Sequence, residues 1–432
     1  MNNVYKWYRL DNAAKVFPSV TNQRNSSVFR FSVVLKEPVK PDILQKAVDC
    51  VMPRFPMFSV RLRQGVFWNY LDENQQPLKV KPDEMTPCTP ITPEDQGYSL
   101  RVLYHHHRLS LEMFHALADG SGALELLKSI LYYYFEFQGI EIDTSQQGIL
   151  KANETVKSQE MEDSFSENYT PVYAETFSSP PSYHIKGITL DEYETSVISG
   201  LVNSRELNSI AKSYGGSITS YLASVLIYSI YHARAKQQRT KKPIVIAVPV
   251  NLRKAFPSET LRNFFSVVNV GAYMTDDMTV AELVPLVQEM LVQKTNKTYL
   301  QSLINHNVNF ERNIASKFIP LFIKKIAVRI GFGYLSERRK TINLTNLGQL
   351  SLPETMLEHI YHAEVYAYPT QKSPMACGVI SLGETLSINF IKNIAEKDII
   401  QYFFSYLAAQ EGINISVYSN DLKASFDPTV SE

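Results

Sequence analysis

Apolar positions along the first hundred or so residues change period several times. Val28–Leu35, "VFRFSVVL", is dominated by β-branched and aromatic residues and predicts a strand. From Pro41-Asp42 onward, Ile43, Leu44, Ala47, Val48, Val51 and Met52 share one helical face. The segment "PRFPMF" (Pro53–Phe58) ends that helix, because proline disfavours the helical conformation of the residue before it. Ser59–Leu62 and Val66–Leu71 read as short strands, and Leu100–Tyr104 with Leu109–Phe114 as a hairpin. A helix follows over Ala123–Phe137, with Leu124, Leu127, Leu131 and Tyr134 at helical spacing.

Between Gly139 and about Ile188 the periodicity disappears into a polar, acidic stretch that ends in a proline pair, which reads as a linker. Beyond it the mixture resumes. Arg205–Ala235 is a helical pattern broken at Gly215-Gly216, and Glu282–Gln293 and Lys397–Ala409 are further helices. Ile244–Val248, Phe265–Met274, Thr341–Thr345, Ile360–Tyr366, Met375–Leu382 and Thr385–Ile391 read as strands. With 432 residues, two α/β lobes are expected: 1–185, carrying a flexible linker at about 139–188, and 186–432. A ligand site is expected at the cleft between them.

Composition narrows the function. Lys+Arg and Asp+Glu are both 43, so the clustered positive charge of a nucleic-acid binder is not indicated. The three cysteines, Cys50, Cys88 and Cys377, form no metal or disulfide pattern and fit a reducing cytoplasm. No window of about 18 uncharged apolar residues occurs, so no membrane span is expected. His105-His106-His107 invites a metal, but no Cys or carboxylate cluster accompanies it, and a solvated turn with no metal is expected. The glycines at 215–216 and 331–333 fit neither a phosphate loop nor a dinucleotide fingerprint. Lys317–Leu335, "KFIPLFIKKIAVRIGFGYL", interleaves apolar residues with Lys324, Lys325 and Arg329. It reads first as the lining or lid of a channel, and second as an interfacial helix.

The stretch with chemistry in it is "EMFHALADGSG" (Glu112–Gly122). A histidine ending a strand has rigid support, and neutral imidazole accepts protons near neutral pH. Asp119 can pair with an arginine or cap the helix that follows, and Gly120 and Gly122 allow backbone conformations other residues resist. On pattern alone, a buried structural histidine beside a helix cap explains the same residues.

"HALADG" resembles the HxxxD(G) signature of the chloramphenicol-acetyltransferase-like acyltransferase superfamily. The likeness continues in family order through "SYGGSITSYLASVLIYSIY" (Ser213–Tyr231), "IAVPVNLRKAFPSETLRNFFS" (Ile246–Ser266), "INLTNLGQLSLP" (Ile342–Pro353) and "GETLSINF" (Gly383–Phe390). "AVDCVMPRFPMFSVRLRQGVFWNYL" (Ala47–Leu71) resembles stand-alone bacterial alcohol-acetyltransferase-like and condensation-domain-like proteins. Phe114 stands where peptide-synthetase condensation domains usually carry a first histidine, and "TNLGQ" stands where plant-type enzymes carry DFGWG.

The resemblance implies two chloramphenicol-acetyltransferase-like two-layer α/β sandwich lobes with an active-site tunnel between them. It implies acyl transfer, acetyl first, from acyl-CoA to a hydroxyl acceptor, with His115 as general base and Asp119 as its scaffold. Arg253 is the expected partner of Asp119. Asn263 is expected to support the second-lobe wall, and Asn346 or the backbone at Leu347-Gly348 to stabilise the oxyanion or shape the pocket. Gly120, Arg253, Asn263, Asn346 and Gly348 are thus the candidate substrate-side residues. The expected partners are acetyl-CoA or another acyl-CoA, a small-molecule alcohol or amine acceptor, and alternatively an acyl-carrier protein. Two other readings stay open: a carrier-protein-dependent O- or N-acyltransferase of condensation type, and a non-catalytic relative that binds a hydrophobic ligand.

Overall fold

The computed structural model describes residues 7–22, 24–145, 148–171, 180–312, 319–410 and 412–420. The first half runs β1 (Trp7–Arg9), α1 (Phe17–Val20), β2 (Val28–Leu35), α2 (Pro41–Val51), β3 (Val60–Gln64) and β4 (Asn69–Glu73). It continues through β5 (Lys81–Pro82), β6 (Leu100–His105), β7 (Arg108–Phe114), α3 (Gly120–Glu136) and α4 (Ser164–Glu167). The expected strand at Val66–Leu71 begins only at Asn69. The Gly65 amide donates to the Trp68 carbonyl, so Val66 and Phe67 form the tip of the β3–β4 hairpin.

The second half runs β8 (Ser196–Asn203), α5 (Ser204–Ser213), α6 (Ile218–Ile230), β9 (Ile244–Asn251), β10 (Phe265–Ala272), α7 (Val280–Thr295) and α8 (Lys297–Arg312). Then come α9 (Leu321–Leu335), β11 (Ile342–Gln349), α10 (Glu354–Leu357), β12 (Ile360–Tyr366), β13 (Met375–Leu382), β14 (Thr385–Lys392), α11 (Asp398–Ala408) and β15 (Ser416–Ser419). The break expected at Gly215-Gly216 separates α5 from α6: Gly215 adopts φ +75°, and Ser217 caps the new helix through the Ser220 amide.

Two mixed sheets organise the lobes among the described residues. The first is ordered β12-β2-β7-β6-β5, the second β10-β9-β11-β13-β14-β8-β15. A small sheet, β1-β4-β3, flanks the first. The two halves exchange chain, because β12 lies beside β2, with Val365 opposite Phe31. One apolar core gathers Phe29, Phe31 and Val33 of β2 with α2 and α3. Another gathers α6, α7 and α11 against β9, β13 and β14. Alternation along β2 sends Arg30 to the opposite face, where Glu112 accepts from its Nε at 2.8 Å and Asp83 from its terminal nitrogens.

The linker expected at 139–188 is anchored at several described points. Glu160 is buried in a bidentate pair with Arg54 (2.6 and 2.7 Å), and Phe165, Tyr183 and Ile185 belong to the second core. Its polar sequence hides these anchors, since isolated apolar residues leave no period to read; residues 172–179 lie outside the described residues.

Candidate active site

β7 is a buried inner strand paired with β2 and β6, so its end is a fixed support. His115 follows it directly, its amide donating to the Ser27 carbonyl at 2.8 Å. The imidazole stacks on Phe17 (centroids 4.3 Å apart, 12° between planes), with Phe29 at 5.1 Å, Phe265 at 5.2 Å and Tyr368 at 6.5 Å. These rings come from both halves, which places His115 at the lobe junction.

The polar shell fixes the tautomer. His115 Nδ1 lies 3.1 Å from Asn263 Oδ1. Asn263 Nδ2 meanwhile donates to the His115 carbonyl (3.0 Å) and to Asp11 Oδ2 (3.1 Å). Both of those partners only accept, so Nδ2 is the amino end and Oδ1 must accept a proton from Nδ1. The network assigns the hydrogen to Nδ1 and leaves Nε2 as a lone-pair acceptor, without a hydrogen bond among the described residues. Burial pushes the His115 pKa below its ordinary value, only partly opposed by the Asp119 charge and the Asn263 bond, so the ring is held neutral.

Asp119 does two jobs with its two oxygens. Oδ1 caps α3, accepting from the Ser121 and Gly122 amides (3.1 and 3.2 Å). Oδ2 accepts from Arg253 Nη1 (2.7 Å) and the Phe264 amide (2.8 Å). Arg253 also donates to the Thr260 carbonyl at 3.0 Å and the Arg262 carbonyl at 2.5 Å. Its guanidinium is therefore taken up inside the protein, tying the 260–264 turn, and with it Asn263, to the loop that carries His115. Arg253 thus braces the site through bonds inside the protein.

The glycines serve by being small. Gly120 and Gly122 are not among the residues with positive φ, contrary to the conformational role expected for them. A Cβ on Gly122 would fall 1.8 Å from the Leu261 carbonyl oxygen, and one on Gly120 would fall 3.1 Å from Leu347 and 3.4 Å from Phe31. Gly122 lets the second half approach the start of α3. Gly120 admits Leu347, which sits on an irregularity of β11 between Asn346 and Gln349. There Asn346 donates to Thr219 Oγ1 (2.9 Å) and accepts from the Gly348 amide (2.9 Å), while Gly348 takes φ +73°. Both ends of the Asn346 amide are thus held at this wall, with the second amide hydrogen uncommitted among the described residues, and Thr219 keeps its own hydroxyl proton to donate.

The structure brings together His115 and Asp119 with Arg253 and Asn263, from two stretches more than 130 positions apart, and sets Gly120, Asn346 and Gly348 at the adjoining wall. Asp11 and Phe17 were missed. The capping pattern of Asp11 over Ala14 (2.7 Å) is legible locally, but its reach to Asn263, 252 positions away, is not. Beside Ser27 and Tyr368 in sequence, Arg24–Ser26, Cys88, Thr189–Thr195, Pro369 and Asn393 line a cavity of about 160 Å³ between the two halves. Among the described residues no group of three or more His, Cys, Asp or Glu could hold a metal; His105 ends β6 and His106-His107 form the β6–β7 turn, with His106 at φ +47°.

No family model matches the chain, and no curated protein matches it in sequence. Solved structures do match in fold. Polyketide synthase associated protein 5 from Mycobacterium tuberculosis is 16% identical with a TM-score of 0.57, over 94% of this chain and 98% of that one. The TRI3 trichothecene 15-O-acetyltransferase from Fusarium sporotrichioides is 11% identical with a TM-score of 0.58, over 93% of each chain. The starter condensation domain of rhizomide synthetase, solved in complex with C8-CoA, is 11% identical with a TM-score of 0.59, over 93% of this chain and 94% of that one.

Proposed function

We propose that this chain, which has the two-lobed chloramphenicol-acetyltransferase-like α/β fold, is an acyltransferase that moves an acyl group, acetyl first, from acyl-CoA to a hydroxyl acceptor. One observation carries this reading: a neutral imidazole at the lobe junction is held through Nδ1 by Asn263, and its Nε2 is left uncommitted. The fold is shared with an O-acetyltransferase and with a domain solved with an acyl-CoA, which supports this donor and acceptor.

In this reaction Nε2 takes the acceptor hydroxyl proton as the oxygen attacks the thioester carbonyl. The tetrahedral oxyanion collapses, the carbon–sulfur bond breaks, and the protonated ring returns its proton to the leaving thiolate. Neither a serine nor a cysteine forms a covalent intermediate. Asp119 and Arg253 keep Asn263 and the His115 loop in register, and Asp11 keeps the Asn263 amide turned so that Oδ1 faces the ring. The Leu347–Gly348 turn, with Thr219 behind it, shapes the acceptor wall.

The test is thiol release from acetyl-CoA with a panel of alcohols and amines, repeated with an acylated carrier protein. Release with alcohols supports the reading. Release only from the carrier, or only with amines, replaces it with the condensation-type alternative. Failure with every donor, together with binding of an apolar ligand, makes the chain a non-catalytic binder.

A further inference from the structure

The helix α9 presents its apolar residues to the outside. Phe322, Ile323, Ile326 and Ile330 recur at i, i+1, i+4 and i+8, so they form one stripe, and that stripe is exposed: 63% for Phe322, 57% for Ile326, 68% for Ile330. A helix normally turns such a stripe inward. Beside it stands the tip of the β3–β4 hairpin, with Val66 at 74% and Trp68 at 53%. The two elements form one surface, because the Leu321 amide donates to the Val66 carbonyl (2.9 Å), Lys324 to the Phe67 carbonyl (3.0 Å) and Lys325 to Gln64 Oε1 (2.8 Å).

We infer that this surface docks the protein on an anionic lipid membrane. The charge argues for that occupant. The 15 residues of α9 contain Lys324, Lys325 and Arg329 and no carboxylate, in a chain whose charges as a whole balance at 43 to 43. Cations flanking an exposed apolar stripe match anionic headgroups over acyl chains, and a tryptophan at a hairpin tip suits the headgroup level. The helix lies on the membrane and does not enter it: 15 residues rise about 22 Å, short of the ~30 Å hydrocarbon core. Among the described residues no helix is long and apolar enough to cross a membrane.

The surface is one element away from the site. α9 packs on α1, where Arg329 Nε donates to the Ser19 carbonyl (3.2 Å), and α1 carries the Phe17 ring stacked on His115. Delivery of an apolar acceptor by this route rests on the acyltransfer reading; docking itself does not.

The test is co-sedimentation with vesicles of phosphatidylcholine alone or with about 30% phosphatidylglycerol, at low and high salt, using the full chain. The chain has two tryptophans, so Trp7→Phe leaves Trp68 as the sole reporter. Binding to the anionic vesicles about tenfold or more tighter than to the neutral ones is expected, weakened by salt, with a blue shift of Trp68 emission. Ile326→Asp and, separately, Ile330→Asp should abolish both signals while circular dichroism and melting stay unchanged, since both side chains face solvent. Absent binding, equal binding to both vesicles, or binding indifferent to both substitutions overturns the inference. Concentration-dependent dimerisation that Ile326→Asp removes, without vesicle binding, also overturns it and assigns the surface to a second copy.

Discussion

His115 and His362 each stand beside a buried carboxylate–arginine pair, and their hydrogen bonds differ. His362 lies on β12, its Nε2 3.0 Å from the Tyr418 hydroxyl and 3.4 Å from Glu364, whose carboxylate takes two bonds of 3.1 Å from Arg108. Every group there is turned on its neighbours, and the cluster joins β12 to β15. At His115 the Asp119–Arg253 pair does not touch the ring. It holds the turn that carries Asn263, and Asn263 holds only one ring nitrogen. A buried ion pair beside a histidine therefore does not mark chemistry. What sets His115 apart is that its orientation is fixed at one nitrogen while the other stays available, as the proposed base requires.

The largest separation between the two should come from deleting each ring. In the thiol-release assay, His115→Ala is expected to lower kcat by about 10²–10⁴-fold in the protein that remains folded. His362→Ala should leave kcat within a few-fold and lower stability by about 1–3 kcal/mol, the range for leaving buried polar partners unmet. Similar losses of kcat in both variants would remove the distinction.

Charge removal comes next. Asp119→Asn keeps a cap acceptor for α3 but leaves Arg253 without its counter-ion, and Glu364→Gln does the same to Arg108. Breaking a buried pair costs about 3–5 kcal/mol, so both variants should unfold at lower denaturant. Only Asp119→Asn should also lower kcat in the protein that remains folded, because only that pair supports the proposed base. Asn263→Ala isolates the link itself: one lost hydrogen bond of about 1.5 kcal/mol predicts about a tenfold lower kcat with KM little changed. Asp11→Asn should reproduce part of that effect, since its Oδ2 orients the Asn263 amide.

These residues also show what one sequence can and cannot display. Strands and helices with a clear period, such as Val28–Leu35 and Ala123–Phe137, were legible because local burial writes the period. The pairing of β12 with β2 was not, since strand order is decided by contacts more than 320 positions apart. His115 and Asp119 stood out through their spacing, and Arg253 through resemblance. Asn263 was noticed but placed at a wall, because nothing local tells an asparagine which way its amide will be turned. That information lies in Asp11 and in the His115 carbonyl. The hairpin tip at Val66–Trp68 was read as strand because its apolar residues mimic one, although they face solvent.

The smallest predicted effect is a shift in pH dependence, and its sign tests the electrostatics of the His115 side. In the proposed reaction the neutral ring is the active form, so kcat/KM should fall as pH drops through the His115 pKa. Burial holds that pKa below the ordinary 6.5, and the limb should therefore lie below pH 6.5. The Asp119 carboxylate works against burial by favouring the charged ring. Removing it in Asp119→Asn should move the limb to still lower pH even as the plateau rate falls. A limb that stays in place would mean that the Asp119 charge does not reach the ring, and one that moves upward would reverse the assigned sign. Glu364→Gln should leave the limb where it is, because its charge is spent on Arg108, His362 and Tyr418. A profile of log kcat/KM between pH 4.5 and 8 for the three proteins separates these outcomes, with the His362 cluster again serving as the reference from which His115 departs.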